Sequence, residues 1–332
     1  MRPLNLLRAP LLLASAALMA GCSELVVLNP AGDVAAQQGR LVVIATVLML
    51  LIIVPVIFLT LLFAWRYRQN SKHSDEEYAP DWHHSTKLEL VIWSAPLVII
   101  IALGALTWIT THKLDPYRPL DRIAAGQPIP EGVKPLEVQV VSLDWKWLFF
   151  YPEQGIATVN EVAAPVDRPI LFKLTSSHTM NAFYIPDLAG MIYTMPGMQT
   201  ELNAVINKPG EYKGMSSHYS GAGFSGMNFK FKGLSNEDFD KWIAQARTEG
   251  QPLTRDAYRE LAKPSERNPV ARFASVEQGL YNRVLNLCVE DGQPCMHEVM
   301  AKDAMRNRAH HTERALNTAA AQSICTPETL IE

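Results

Sequence analysis

The stretch that decides the fold runs from His178 to Phe231 and reads HTMNAFYIPDLAGMIYTMPGMQTELNAVINKPGEYKGMSSHYSGAGFSGMNFKF. Short apolar runs alternate in it with turn residues at Pro186, Pro196-Gly197, Pro209-Gly210, Gly214 and the glycines between Gly221 and Gly226. Strands bounded by such turn chemistry predict a compact antiparallel β-sandwich. The strand Gly210-Glu-Tyr-Lys-Gly214 then feeds a loop, Met215 to Met227, that is rich in hydroxyls and glycines and empty of cysteine.

Ile185-Pro186, Pro196-Gly197, the Pro209-Gly-Glu-Tyr-Lys-Gly214 block and the closing Gly226-Met227-Asn-Phe229 together resemble the cupredoxin domain of subunit II of the haem-copper oxidases. In the cytochrome c oxidase branch of that family the same loop carries Cys-x3-Cys-x3-His-x2-Met. With a further His just before the Ile-Pro strand, these residues bind the two-copper CuA centre. Laid onto this chain, the upstream His position holds Asn181, the two Cys positions hold Ser216 and Ser220, and the second His position holds Phe224. Met227 remains. A serine hydroxyl is a hard, barely acidic donor where copper in such a site needs thiolate and imidazole. The resemblance therefore implies a CuA fold without CuA, as in the ubiquinol oxidase branch of cytochrome bo type. His218, in the same loop as Met215 and Met227, reads as a loop residue beside packed thioethers and not as a substitute copper ligand.

The chain has 332 residues, a net charge of −3 and 19% charged residues, which leaves room for two or three structural units and gives no footing for nucleic acid. Apolar residues are concentrated in three places in the first third, the mark of a membrane protein that carries a soluble domain. Residues 1–21 read as a lipoprotein signal peptide, with Arg2 and Arg8 ahead of the apolar Leu11–Met19 and with Ala20-Gly21 before Cys22. Cleavage there leaves Cys22 as a lipidated N-terminus; the other reading is an uncleaved segment with a free thiol. Residues 22–40 are expected as a periplasmic segment, with polar Asn29–Arg40 as a tether.

A transmembrane hairpin is expected over residues 41–115. Its first run, Leu41–Ala64, would span roughly 36 Å as a helix, enough for a bilayer core, and Leu90–Thr110 supplies the second. Pro55 and Pro96 are tolerable inside such helices. Arg66, Arg68, Lys72 and Lys87 lie between the runs, against Arg40, Lys113 and Arg118 outside them, so the connection faces the cytoplasm and both ends face outward. At the start of the second run Thr86-x-x-Glu89 fits a capping box. The surrounding His84-Ser-Thr-Lys-Leu-Glu89 again resembles the family, which implies a place for Glu89 at the cytoplasmic mouth of a proton channel.

Residues 116–233 are assigned to the exported sandwich, after a proline-bearing linker from Pro116 to Lys134. Leu136–Tyr151 begins as an alternating strand and ends in dense aromatics. Its Asp144-Trp145-Lys146-Trp147 resembles the family's aromatic stretch, whose first Trp takes electrons from cytochrome c. With no copper to serve, Trp145 is expected to be a packing residue. Tyr193 stands where the cytochrome c branch uses an acid, so Asp187 leaves only a weak docking patch for a basic cytochrome. Residues 234–332 are expected as a helical extension, with Ser235 as a cap, Phe239, Trp242, Ile243 and Ala246 on one face, and helices over Arg255–Ala262 and Val276–Leu287 joined by a turn at Lys263–Pro269. Cys288 and Cys295 could close a short loop, leaving Cys325 odd; a metal site with His297 lacks a recognised spacing.

No nucleophile constellation, phosphate loop or haem-ligating pair is visible. The architecture expected is a two-helix transmembrane hairpin, an all-β cupredoxin-like sandwich and a helical C-terminal extension. By resemblance the chain is a non-catalytic, lipid-anchored subunit in the bacterial inner membrane with its C-terminal domain in the periplasm. Its partners are the catalytic subunit I, which holds the haems, the copper and the quinol site, other oxidase subunits and membrane lipid. Two rivals stand beside this reading: a CuA-bearing cytochrome c oxidase subunit, and a free-standing periplasmic copper-binding lipoprotein.

Overall fold

The computed structural model describes residues 25–68 and 83–308. Cys22 and Cys325 lie outside them. Two long helices, α1 (Asp33–Arg66) and α2 (Thr86–Lys113), carry Pro55 and Pro96 within them and are long and apolar enough to cross a membrane. Side chains such as Leu51 and Ile101, each 62% exposed, point away from protein along these spans. An apolar face of that size is costly in water and expected in lipid.

The expected tether is instead docked structure. α1 starts eight residues ahead of the apolar run, and Asp33, Val34, Ala35 and Gly39 in its first turns are buried. Arg122 grips Asp33 with two bonds, Nε to Oδ2 at 2.9 Å and Nη2 to Oδ1 at 3.1 Å. The amides of Ala31 and Gly32 donate to the Asp187 carbonyl at 3.0 and 2.8 Å. Gly32 has to be a glycine, because a Cβ there would lie 2.5 Å from the Val205 carbonyl oxygen.

The linker folds into a short hairpin of β1 (Arg122–Ala124) and β2 (Gln127–Pro128). Leu136–Tyr151 is likewise two strands, β3 (Leu136–Leu143) and β4 (Lys146–Tyr151), which pair antiparallel. β5 (Ile156–Val159), β6 (Glu161–Pro165), β7 (Ile170–Ser176), β8 (Asn181–Tyr184), β9 (Ile192–Thr194), β10 (Thr200–Ala204), β11 (Gly210–Ser216) and β12 (Asn228–Leu234) follow. One sheet of the sandwich has the order β6-β12-β11-β8-β9, and the other contains β10-β7-β3-β4-β5. Between them lies an aromatic core in which the Phe183 and Phe229 rings stack at 5.2 Å with Trp147 edge-on to both.

The extension is only partly helical. α3 (Asn236–Glu249) is capped by Ser235, whose hydroxyl accepts from the Asp238 amide, and it buries Phe239, Trp242, Ile243 and Ala246. Next come β13 (Gln251–Leu253), α4 (Arg255–Ala262), β14 (Ala271–Val276) and α5 (Leu280–Leu285). β14 pairs antiparallel with β5, and β13 pairs parallel with β14, so the extension lengthens the second sheet to seven strands. Val276 thus ends a strand, and Lys263–Pro269 joins a helix to a strand. Cys288 and Cys295 form a disulfide.

The added elements explain why β4 is apolar from Trp147 to Tyr151. Trp147, Phe149 and Tyr151 face the sandwich, while Leu148 and Phe150 face a second core built with Leu253, Tyr258, Leu280, Tyr281 and Val284 of the extension. A strand covered on both faces loses the polar-out alternation of an ordinary sandwich strand. Each large apolar side chain buried this way contributes about 1.5–3 kcal/mol.

The seam also carries charge. Glu161, 3% exposed, accepts from Trp242 Nε1 at 2.8 Å and Arg272 Nη2 at 2.9 Å and pairs with Lys232 Nζ at 2.7 Å. Burial pushes its carboxyl upward, but the bonds from Lys232, Trp242 and Arg272 outweigh this and hold it below the usual carboxylate range.

Candidate functional site

The positions aligned with copper ligands sit at one end of the five-stranded sheet. Asn181 opens β8 and Ser216 closes β11, and both side chains are buried. The Ser216 hydroxyl lies 3.2 Å from Asn181 Oδ1 and 3.2 Å from the His218 carbonyl; its single proton serves one of them at a time. Asn181 Nδ2 donates to the Thr179 carbonyl at 3.1 Å. The Ser216 amide donates to the Met227 carbonyl at 3.1 Å and closes the loop at its base, with Met227 only 1% exposed.

The other positions point elsewhere. Phe224 opens a single 3-10 turn, Phe224–Gly226, and its ring meets Tyr219 edge-on at 5.6 Å. His218 is half-buried with its ring 5.9 Å from that of Tyr193. The Ser220 carbonyl accepts from Trp145 Nε1 at 3.0 Å, while its buried hydroxyl has no partner among the described residues. The structure thus brings Asn181, Ser216 and the Met227 backbone together and leaves Ser220, Phe224 and the His218 ring apart. This is a set of neutral hydrogen bonds and ring contacts. It offers copper neither a thiolate nor an imidazole at the aligned positions, and the donors present do not fit a CuA centre. Among the described residues no three of His, Cys, Asp and Glu converge on a point.

Three features at this end were not legible in the sequence. Trp145 is not a strand residue: it occupies the turn between β3 and β4 at φ 65°, a backbone region a bulky side chain rarely adopts. Its indole lies on the loop so closely that a Cβ on Gly223 would come within 2.4 Å of it. From the other side the extension's Lys263–Asn268 turn closes over the same loop, with Glu266 Cγ 2.8 Å from that Gly223 position and Arg267 Cγ 3.0 Å from the equivalent point on Gly226. Two buried side chains pin this turn. Lys146 Nζ donates to the Lys263 carbonyl at 2.8 Å, and Asn160 Nδ2 to the Asn268 carbonyl at 2.9 Å. Burial lowers the Lys146 ammonium below its ordinary pKa, with nearby Asp144 opposing. A lysine set in an aromatic strand was the available signal, since a buried cation must find acceptors.

At the start of α2 the expected capping box is absent. Ser85 is the cap residue and its side chain makes no capping bond. Thr86 Oγ1 instead lies 3.2 Å from His84 Nε2, and Glu89 Oε1 lies 2.7 Å from His84 Nδ1. Glu89 is about half exposed, with a side-chain exposure of 48%.

Fold and site together define a class: a cupredoxin-like sandwich joined to two helices long and apolar enough to cross a membrane, with the Met215–Met227 loop held by protein contacts. Residues 138–233 match the family described as cytochrome c oxidase subunit II, periplasmic domain, and residues 247–292 match the COX aromatic rich motif. The cytochrome bo(3) ubiquinol oxidase subunit 2 of Pseudomonas putida is 47% identical over 86% of this chain and 88% of its own. The ubiquinol oxidase subunit 2 of Acetobacter aceti is 48% identical over 82% of this chain and 85% of its own. Among solved structures, the periplasmic domain of subunit II of the cytochrome oxidase of Bradyrhizobium japonicum aligns with 36% of this chain and 97% of its own at 21% identity, with a TM-score of 0.34. The chain belongs to the family of subunit 2 of the haem-copper ubiquinol oxidases.

Proposed function

We propose that the chain is the non-redox subunit of a complex that oxidises ubiquinol, reduces oxygen to water and translocates protons, with haems and copper held by a partner catalytic subunit. The observation that carries this is the packing at Asn181, Ser216, Ser220 and Phe224, by hydrogen bonds of the first two side chains, a bond to the Ser220 carbonyl and a ring contact of Phe224, where a copper centre would need sulfur and imidazole. In this reading α1 and α2 cross the bacterial inner membrane, the sandwich caps the periplasmic face of the catalytic subunit, and Cys22 carries the lipid. The connection between the helices faces the cytoplasm, where Glu89, in contact with His84, takes up protons for the partner.

The test is metal and haem analysis with a near-infrared spectrum on the complex purified through this chain. Haem with catalytic-site copper, no CuA band and oxygen uptake driven by ubiquinol are expected. A CuA band, or uptake driven by cytochrome c, overturns the reading. Glu89→Ala is expected to slow turnover about ten- to a hundredfold with the haem content intact; unchanged turnover in an assembled complex removes Glu89 from the proton path. The mature chain should begin at Cys22 with a diacylglyceryl mass, and an intact Met1 would rule that out.

A further inference from the structure

Four consecutive apolar residues just ahead of α1 are exposed: Leu25 at 50%, Val26 at 38%, Val27 at 43% and Leu28 at 49%. Val26–Leu28 form a single 3-10 turn without charge. Such a cluster on a water-facing surface would be unfavourable, and among the described residues none covers it. Its position says what does. The turn is pressed against α1 at Gly39, where an added Cβ would lie 2.4 Å from the Val27 carbonyl oxygen. Three and four residues along the same helix face stand Val42 and Val43, exposed by 49% and 47%, at the start of the apolar span. The turn and the span therefore form one continuous apolar surface. Arg40, exposed at the same level, stands where cationic side chains meet lipid headgroups.

Beyond the turn the chain is fastened to the sandwich. Lys208 Nζ donates to Asn29 Oδ1 at 3.3 Å and to the Pro30 carbonyl at 3.1 Å, and the Asn207 amide donates to the Ala31 carbonyl at 2.9 Å. The turn is thus held at a fixed height between the span and the sandwich. We infer that Leu25–Leu28 is a membrane-inserted wedge, seated among the outer-leaflet acyl chains beside α1, that sets the depth and lean of the exported domain. This rests on α1 spanning the bilayer and holds with or without a lipid on Cys22.

The test uses the whole oxidase complex in phosphatidylethanolamine and phosphatidylglycerol vesicles, with Cys325→Ala to reduce background labelling. A nitroxide is placed by Val27→Cys, and its collisions with oxygen and with a water-soluble nickel chelate are compared with labels at Leu51→Cys in mid-span and Asp256→Cys on the exported surface. An oxygen-to-nickel ratio at position 27 several-fold above that at 256 and close to that at 51 is expected. Gly39→Leu, which must push the turn off the helix, should move the ratio at 27 toward that at 256. A ratio at 27 equal to that at 256 overturns the wedge. So does protection from both reagents, which would mean that a partner protein covers the turn. An aqueous ratio at 51 would instead refute the membrane span, a separable failure.

Discussion

The Met215–Met227 loop and the seam beneath the extension lie in the same domain but are held by opposite means. Single neutral bonds hold the loop, from the Ser216 hydroxyl to Asn181 Oδ1 and from the Trp145 indole to the Ser220 carbonyl. At the seam a buried carboxylate is satisfied by a lysine, an arginine and an indole. The weak set holds the loop itself, and the strong set fastens the segment that closes over it. The difference teaches that here the extension, through its Lys263–Asn268 turn, supplies part of the loop's order.

The largest break in this contrast should come from Glu161→Ala. Removing the carboxylate takes a partner from half-buried Lys232 and from the Trp242 indole and leaves Arg272 with Glu249 alone, at a cost of about 3 kcal/mol. Amide exchange across Asn236–Glu249 and Ala271–Val276 should accelerate about a hundredfold or more, whereas protection unchanged in both would show that the apolar seam alone suffices. The same carboxylate makes docking acid-sensitive. Its folded pKa is depressed, so its contribution is present above the unfolded value, about 4.3, and is lost as pH falls through the folded value. Glu161→Gln should flatten that acid dependence.

A smaller effect is expected at Gly223, where an alanine Cβ would meet Trp145 Cγ at 2.4 Å and Glu266 Cγ at 2.8 Å. Gly223→Ala should cost about 1–3 kcal/mol through overpacking and loosen Met215–Met227 and Lys263–Asn268 together. Loosening of the first alone would uncouple the turn from the loop. Ser216→Ala should do least, about 0.5–1.5 kcal/mol for one neutral hydrogen bond, seen as a few-fold faster exchange around His218. If it matched Glu161→Ala, the two regions would be equally stapled and the contrast would fail.

Much of this was legible in the residues. The turn chemistry of His178–Phe231 marks the sandwich strands, and the serines at 216 and 220 leave those positions without a thiolate. What escaped depends on partners far away in the chain. Gln251–Leu253 is too short and too proline-bearing to read as a strand, and it becomes one only at the edge of β14, where proline is allowed. The tether was misread because the grip of Arg122 on Asp33 spans 89 residues and leaves no local pattern. The dense aromatics of β4 were visible, but not the reason for them, since the second core they serve is built from residues a hundred positions onward.

The docked start of α1 has a mechanical consequence. With Asp33–Gly39 locked to the sandwich, the helix enters the domain without a flexible joint and acts as a lever. The nearest place for it to bend is Pro55, about 33 Å from its outer end at 1.5 Å per residue. A change of about 5° there would carry the far end about 3 Å sideways, so a small bend in α1 becomes a displacement of the whole sandwich.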